Sequence, residues 1–249
     1  MKKCGLVSIS FRQLSPDEII RYSVEAGLHG IEWGSDVHAP CEEIAKLKNI
    51  ANTQKAAGLV CSSYGTYFRL GVDAPETILK YIEAAKLLGT DILRLWCGNK
   101  GYAEYTESEK EALFEDCRKV AEYAATAGVT LGMECHNNTI TDCKEGAIEL
   151  LGAVPSPSFG MYWQPNQLHS VAENEAYARA IADRTSQIHT FHWKKHEKFP
   201  LEEGREEWKH YLSAFPSSHH WLLLEFMPDG NPASLRREAE SLLRLAKEN

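Results

Sequence analysis

The chain has 249 residues, 43% hydrophobic and 25% charged, enough to bury one substantial core of the size of a single β/α barrel. Its formal net charge of -8 repels phosphate backbones and offers no broad basic footprint, which argues against nucleic acid as a partner. The seven cysteines form no CxxC pairs, and no apolar run reaches the length of a membrane span or a signal-peptide core, so a reducing cytoplasm is the expected setting.

In chain order, strands are expected at residues 5–10, 30–34, 59–64, 91–97, 129–136, 159–164, 187–194 and 220–227. Segments of helical period run between them. The first opens on Ser15-Pro16-Asp17-Glu18, a capping box with proline at the first helical position. Ile78, Ile82 and Ala85 share one helix face, as do Leu113, Cys117, Val120 and Ala124. The last helix opens at Asn231-Pro232 and runs through Leu235, Ala239 and Leu242. Gly27, Gly58, Gly89 and Gly128 each follow a helix and precede a β-rich run, as the left-handed residue that ends a helix would. Eight such alternations without a composition break predict an α/β fold, a single-domain (β/α)8 TIM barrel over residues 1–249. An open doubly wound sheet is the structural alternative. No GxGxxG or GxxxxGK[ST] marks a strand-to-helix turn, so dinucleotide and P-loop chemistry lack local support.

Side chains alternate along a strand, so one apolar anchor sets which residues face the barrel axis. Leu131 and Met133 take the helix side of the fifth strand and turn Glu134 and His136 inward. Leu222, Leu224 and Phe226 do the same in the eighth and turn Glu225 inward. Ile188 leaves His189, Phe191 and Trp193 inward in the seventh, while Met161 and Trp163 leave Tyr162 and Gln164 inward in the sixth. By the same count Glu32, Arg94 and Trp96 face the axis. Several carboxylates in one poorly hydrated interior need a positive partner. Arg94 could supply it in a buried Glu-Arg network with His189 as a core histidine. A divalent metal is the other answer, since Glu134, Gln164, His189 and Glu225 combine two carboxylates, an imidazole and an amide oxygen at four strand ends.

These residues make the chain resemble the xylose-isomerase-like barrel superfamily of sugar and sugar-phosphate isomerases and epimerases. The resemblance spans essentially the whole chain. It is carried by Gly30-Ile31-Glu32-Trp33, Met133-Glu134, Tyr162-Trp163-Gln164-Pro165, His189-Thr190-Phe191-His192-Trp193 and Leu224-Glu225-Phe226, in that order. It implies a divalent ion (Mn, Zn, Co or Mg) on Glu134, Gln164, His189 and Glu225. Gln164 stands where the family usually has aspartate, and Gln167 where a histidine often follows, which removes one charge and one substrate contact. The activity implied is isomerisation or epimerisation of a small carbohydrate through a metal-chelated enediolate, with Glu134 and Glu225 taking and returning the proton.

Arg94 and His136 are candidates to bind substrate oxygens or to brace a glutamate, and Trp96 and Trp193 either stack on a sugar or fill the core. Glu32 is a further candidate for substrate contact. His38, Tyr64, Arg69, Lys194 and Lys195 fall in or beside loops expected at the active face, where a solvated role competes with a ligand-binding one. The cysteines read as packing. The alternative activity is a lyase or dehydratase, in which the same enediolate expels a β-hydroxyl. An abasic-site endonuclease would need more inward histidines and a basic surface, and a metal-free carbohydrate-binding barrel would need only the Glu-Arg network. A homodimer is the expected assembly.

Overall fold

The computed structural model of the chain describes residues 1–216 and 218–248. Eight parallel strands close into a barrel: β1 (Lys3–Val7), β2 (Gly30–Gly34), β3 (Val60–Leu70), β4 (Ile92–Cys97), β5 (Thr130–Glu134), β6 (Phe159–Trp163), β7 (Thr185–Thr190) and, after a short antiparallel hairpin of β8 (His192–Lys194) and β9 (Glu197–Phe199), β10 (Trp221–Leu224). Around it run α1 (Pro16–Glu25), α2 (Ile44–Ala56), α3 (Ile78–Leu88), α4 (Glu107–Ala127), α5 (Lys144–Ala153), α6 (Val171–Ile181), α7 (Arg205–Leu212) and α8 (Leu235–Glu248). The single-domain TIM barrel expected from the alternation is the fold observed. No helix among the described residues is long and apolar enough to cross a membrane.

Local chemistry places the elements. The Ser15 hydroxyl accepts the Glu18 N–H while the Glu18 carboxylate accepts the Ser15 N–H at 2.8 Å, satisfying two orphan donors at the start of α1. Thr106 with Glu109 and Ser170 with Glu173 repeat the device on α4 and α6. At the other end, Gly89 and Gly128 stop α3 and α4 with φ of 84° and 70°. Apolar helix faces then bury against the outward side chains of the strands. Trp163 of β6 is one of these, packed edge-on against Trp208 and Tyr211 of α7. A second, smaller cluster of Val7, Ile9, Tyr162 and Leu223 fills the barrel interior.

The first strand ends at Val7, where Ser8–Phe11 form a 3-10 turn, the fifth ends at Glu134, and three further strand expectations change. β3 continues past residue 64 to Leu70, with its pairing to β4 shifting between Gly65 and Arg69. The seventh strand breaks after Thr190, because its partner β10 has only four residues, and the chain turns out of the barrel into the β8–β9 hairpin. The eighth ends at Leu224, and Phe226 adopts a left-handed φ of 57°. That conformation cancels the parity that assigned Phe226 to the helix side, and its ring lines the cavity at the top of the barrel instead.

Candidate active site

Four side chains from four strand ends meet at the C-terminal face. Glu134 closes β5, His189 lies in β7, Gln164 follows β6 by one residue, and Glu225 follows β10, its N–H donating to the Thr190 carbonyl at 3.0 Å. Nδ1 of His189 is 3.3 Å from Oε1 of Gln164, 3.3 Å from Oε1 of Glu134 and 3.4 Å from Oε2 of Glu225. The Gln164 amide is oriented by its N–H group, which donates to the Cys135 carbonyl at 3.0 Å and so turns the oxygen toward the histidine. Donors that share one ion at about 2.1 Å lie roughly 3.0–3.4 Å apart, which is the spacing seen around Nδ1. Above them opens a cavity of about 270 Å³.

A buried polar network supports this cluster from below. Arg94, 1% exposed, donates to Glu134 at 2.5 Å and to Glu32 at 3.2 Å. Trp96 donates its indole N–H to the same Glu134 oxygen at 2.5 Å. Glu32 also accepts from Ser63 at 3.0 Å, from the Tyr162 hydroxyl, and faces Nε2 of His189 at 3.3 Å. With its proton on Nε2 toward Glu32, the imidazole presents the Nδ1 lone pair to the cluster. Close approach of these chains needs Gly65, where a Cβ would lie 2.6 Å from Glu32 and 3.0 Å from Arg94.

Charge bookkeeping tests whether the residues fit a divalent ion. Glu32, Glu134 and Glu225 are all buried, and among the described residues Arg94 is the one permanent cation paired with any of them, through Glu32 and Glu134, so two negative charges lack compensation. Protons fill the gap. Burial opposes a charge on His189, but Glu225, Glu32 and Glu134 outweigh it and raise its pKa to about 10. Burial raises Glu225 to about 7 against the pull of His189. Burial acts on Glu134 in the same sense, yet Arg94 and His189 prevail and hold it well below the ordinary carboxylate range. A dication on Glu134, Gln164, His189 and Glu225 would neutralise the cluster with no proton on either group, and the set of oxygen and imidazole donors suits one. The Glu-Arg network is present, and it pairs Arg94 with Glu32 and Glu134 while leaving Glu225 to His189.

Of the other expected site residues, Trp96, His136, Trp193 and Arg94 line the cavity. Trp193 reaches it from the β8–β9 hairpin rather than from a barrel strand. His136 is held through Nδ1, 2.7 Å from the Asn137 carbonyl, and stacks at a tilt on Trp96. Three expectations of substrate contact give way. Glu32 is fully buried beneath the cluster, with its oxygens taken by Arg94, Ser63, Tyr162 and His189. His38 is 1% exposed, and its two ring nitrogens meet the Ser8 hydroxyl and the Leu14 carbonyl. Lys194 lines a neighbouring chamber, its ammonium 5.2 Å from the Phe199 ring. Arg69 turns to the Gly98 carbonyl and the Trp96 face, and Tyr64 is buried against the Ala39 carbonyl. All seven cysteines are free, and burial raises the thiols of Cys4, Cys61 and Cys135. Arg12 and Tyr67 line the cavity without any expectation from sequence. Arg12 lies between the first strand and the first helix, and the rule that such loops form the active face of a barrel is the signal that could have found it.

Residues 20–245 match the xylose isomerase-like TIM barrel family, and the chain belongs to that family. Over 167 residues it is 30% identical to a 3-dehydroshikimate dehydratase of Bacillus anthracis, a stretch that covers 63% of this chain and 59% of that protein. Among solved structures it is similar to a probable 3-DHS dehydratase of Bacillus anthracis involved in petrobactin synthesis, with TM-score 0.83 and 20% identity over 98% of this chain and 99% of the other. It is also similar to a 3-keto-D-glucoside 4-epimerase of E. coli, with TM-score 0.75 and 14% identity over 99% of this chain and 100% of the other. Dehydratases and epimerases thus share this fold.

Proposed function

We propose that this chain is a divalent-metal-dependent dehydratase that removes water from a cyclic β-hydroxy ketone of the 3-dehydroshikimate kind. The observation that carries the reading is the inequality of the two glutamates. Arg94 and Trp96 both donate to one oxygen of Glu134, whereas among the described residues Glu225 has no cation but His189 within salt-bridge distance. An epimerase using this pair needs both carboxyls to carry protons, one on each face of the intermediate. Glu134 is held against that role. A dehydratase needs only one carboxyl that takes a proton and returns it, and Glu225, free of the Arg94 and Trp96 donors, suits that role. The similarity to a named dehydratase supports the same choice.

An ion held by Glu134, Gln164, His189 and Glu225 would act as a Lewis acid at the ketone oxygen and make the neighbouring C–H more acidic. Glu225 takes that proton. Glu225 returns the proton to the departing β-hydroxyl, which leaves as water as the carbon–carbon double bond forms, while His136, whose Nδ1 donates to the Asn137 carbonyl, offers Nε2 to accept a hydrogen bond from a substrate hydroxyl. Trp96, Trp193, Phe191 and Phe226 wall the cavity with flat apolar surface suited to a ring that becomes planar.

The test is incubation of the purified chain with 3-dehydroshikimate and Mg, Mn, Co or Zn, followed by proton NMR and ultraviolet absorbance. Loss of one water with appearance of dihydroxybenzoate aromatic protons is expected. An unchanged ring, or an epimerised ring that keeps its hydroxyl, would overturn the dehydratase reading.

A further inference from the structure

Two arginines line the catalytic cavity, and they differ in what their donors have left to give. Arg94 is committed to Glu32 and Glu134. Arg12 stands at the mouth, 45% exposed. Its Nε–H donates to Asp36 at 2.9 Å, one terminal nitrogen donates to the Tyr67 hydroxyl at 2.7 Å, and the other reaches the Ile9 carbonyl at 3.4 Å. Tyr67 in turn donates to the same Asp36 oxygen at 3.0 Å, so Asp36 and Tyr67 sit together along one edge of the guanidinium.

A guanidinium has five N–H groups in a rigid plane. Asp36, Tyr67 and Ile9 take three of them, and the two left over are one on each terminal nitrogen. With the Ile9 carbonyl on the inner N–H of its nitrogen, those two lie in parallel at the end of the group, the geometry that grips both oxygens of a carboxylate. The three contacts fix the guanidinium before any ligand arrives, which reduces the ordering cost of binding. Of the other basic residues, Lys194 and Lys195 line the neighbouring chamber, Arg69 is spent on the Gly98 carbonyl, and Lys198 sits over the Trp193 and Phe226 rings at 5.2 and 4.8 Å without lining the cavity itself.

We propose that Arg12 is the carboxylate-binding residue of this cavity, so that the substrates are ring acids carrying a ketone and hydroxyls rather than neutral sugars; this rests on the dehydratase reading. Asp36 and Tyr67 are positioning residues that aim the fork.

Isothermal titration of the full chain in Mg-containing buffer with 3,4-dihydroxybenzoate and with its methyl ester tests this, since esterification removes the charge at the cost of one added methyl group. Wild type is expected to prefer the acid by about tenfold or more. Arg12→Met should abolish the preference, Arg12→Lys should restore only part of it, and Tyr67→Phe should weaken it while leaving ester binding intact. A double Lys194→Ala, Lys195→Ala variant should keep it. Circular dichroism checks that each variant folds. Equal binding of acid and ester by wild type, or a preference that survives Arg12→Met, overturns the role of Arg12 and leaves the dehydratase reading standing. Failure of both ligands to bind wild type overturns the two together.

Discussion

Glu134 and Glu225 face the same imidazole from different strands, and their surroundings set opposite energetics. Removing Glu134 strands Arg94 without the partner 2.5 Å away, whereas removing Glu225 deletes a buried carboxyl that burial already drives toward its neutral form. In the chelated protein, Glu134→Ala should therefore lower stability by about 3 kcal/mol or more, while Glu225→Ala leaves the melting temperature unchanged or raises it. Thermal melts in the presence of a chelator compare the two, and equal losses would contradict the inequality between them. Parity made these residues legible in the sequence, because an alternating strand with two apolar anchors fixes the face of every other side chain. The same rule found His189 and Gln164. It could not find Arg12, which lies in a loop where no period operates, and it misplaced Phe226, whose left-handed backbone breaks the alternation.

At the scale of elements, β3 shows how a strand is shaped by the site it borders. Gly65 punctuates the sequence in a way that suggests a stop, yet the strand runs on to Leu70 and the glycine serves instead to let Glu32 and Arg94 pass close to the backbone. Gly65→Ala should cost about 1–3 kcal/mol because its Cβ would meet a locked ion pair rather than a mobile side chain. Denaturant unfolding measures this, and a loss below the error of the method would show that the pair has room to move. Order and type of the barrel elements could be read from apolar spacing, helix caps and terminal glycines, since these are local signals. The break after Thr190 could not, because it depends on where the neighbouring β10 ends.

For the molecule as a whole, the barrel gathers three carboxylates, an imidazole, an amide and one guanidinium into an interior where a folded chain rarely tolerates uncompensated charge. Helices bury the outer faces of the strands, and the loops at one end leave a cavity above these buried groups. Without an ion, His189 holds a proton up to about pH 10 and Glu225 up to about pH 7. Both protons must leave as a dication enters, so affinity should be weak below pH 7 and rise between pH 7 and 10 as competition from protons fades. Titration of the chelated chain with Mn at pH 6 and at pH 8, in two buffers of different ionisation enthalpy, reads stoichiometry, affinity and proton release together. One ion per chain, bound at least about tenfold more tightly at pH 8 with protons released, is the expected result; no binding at either pH, or binding unchanged by pH, would contradict a metal centre on Glu134, Gln164, His189 and Glu225.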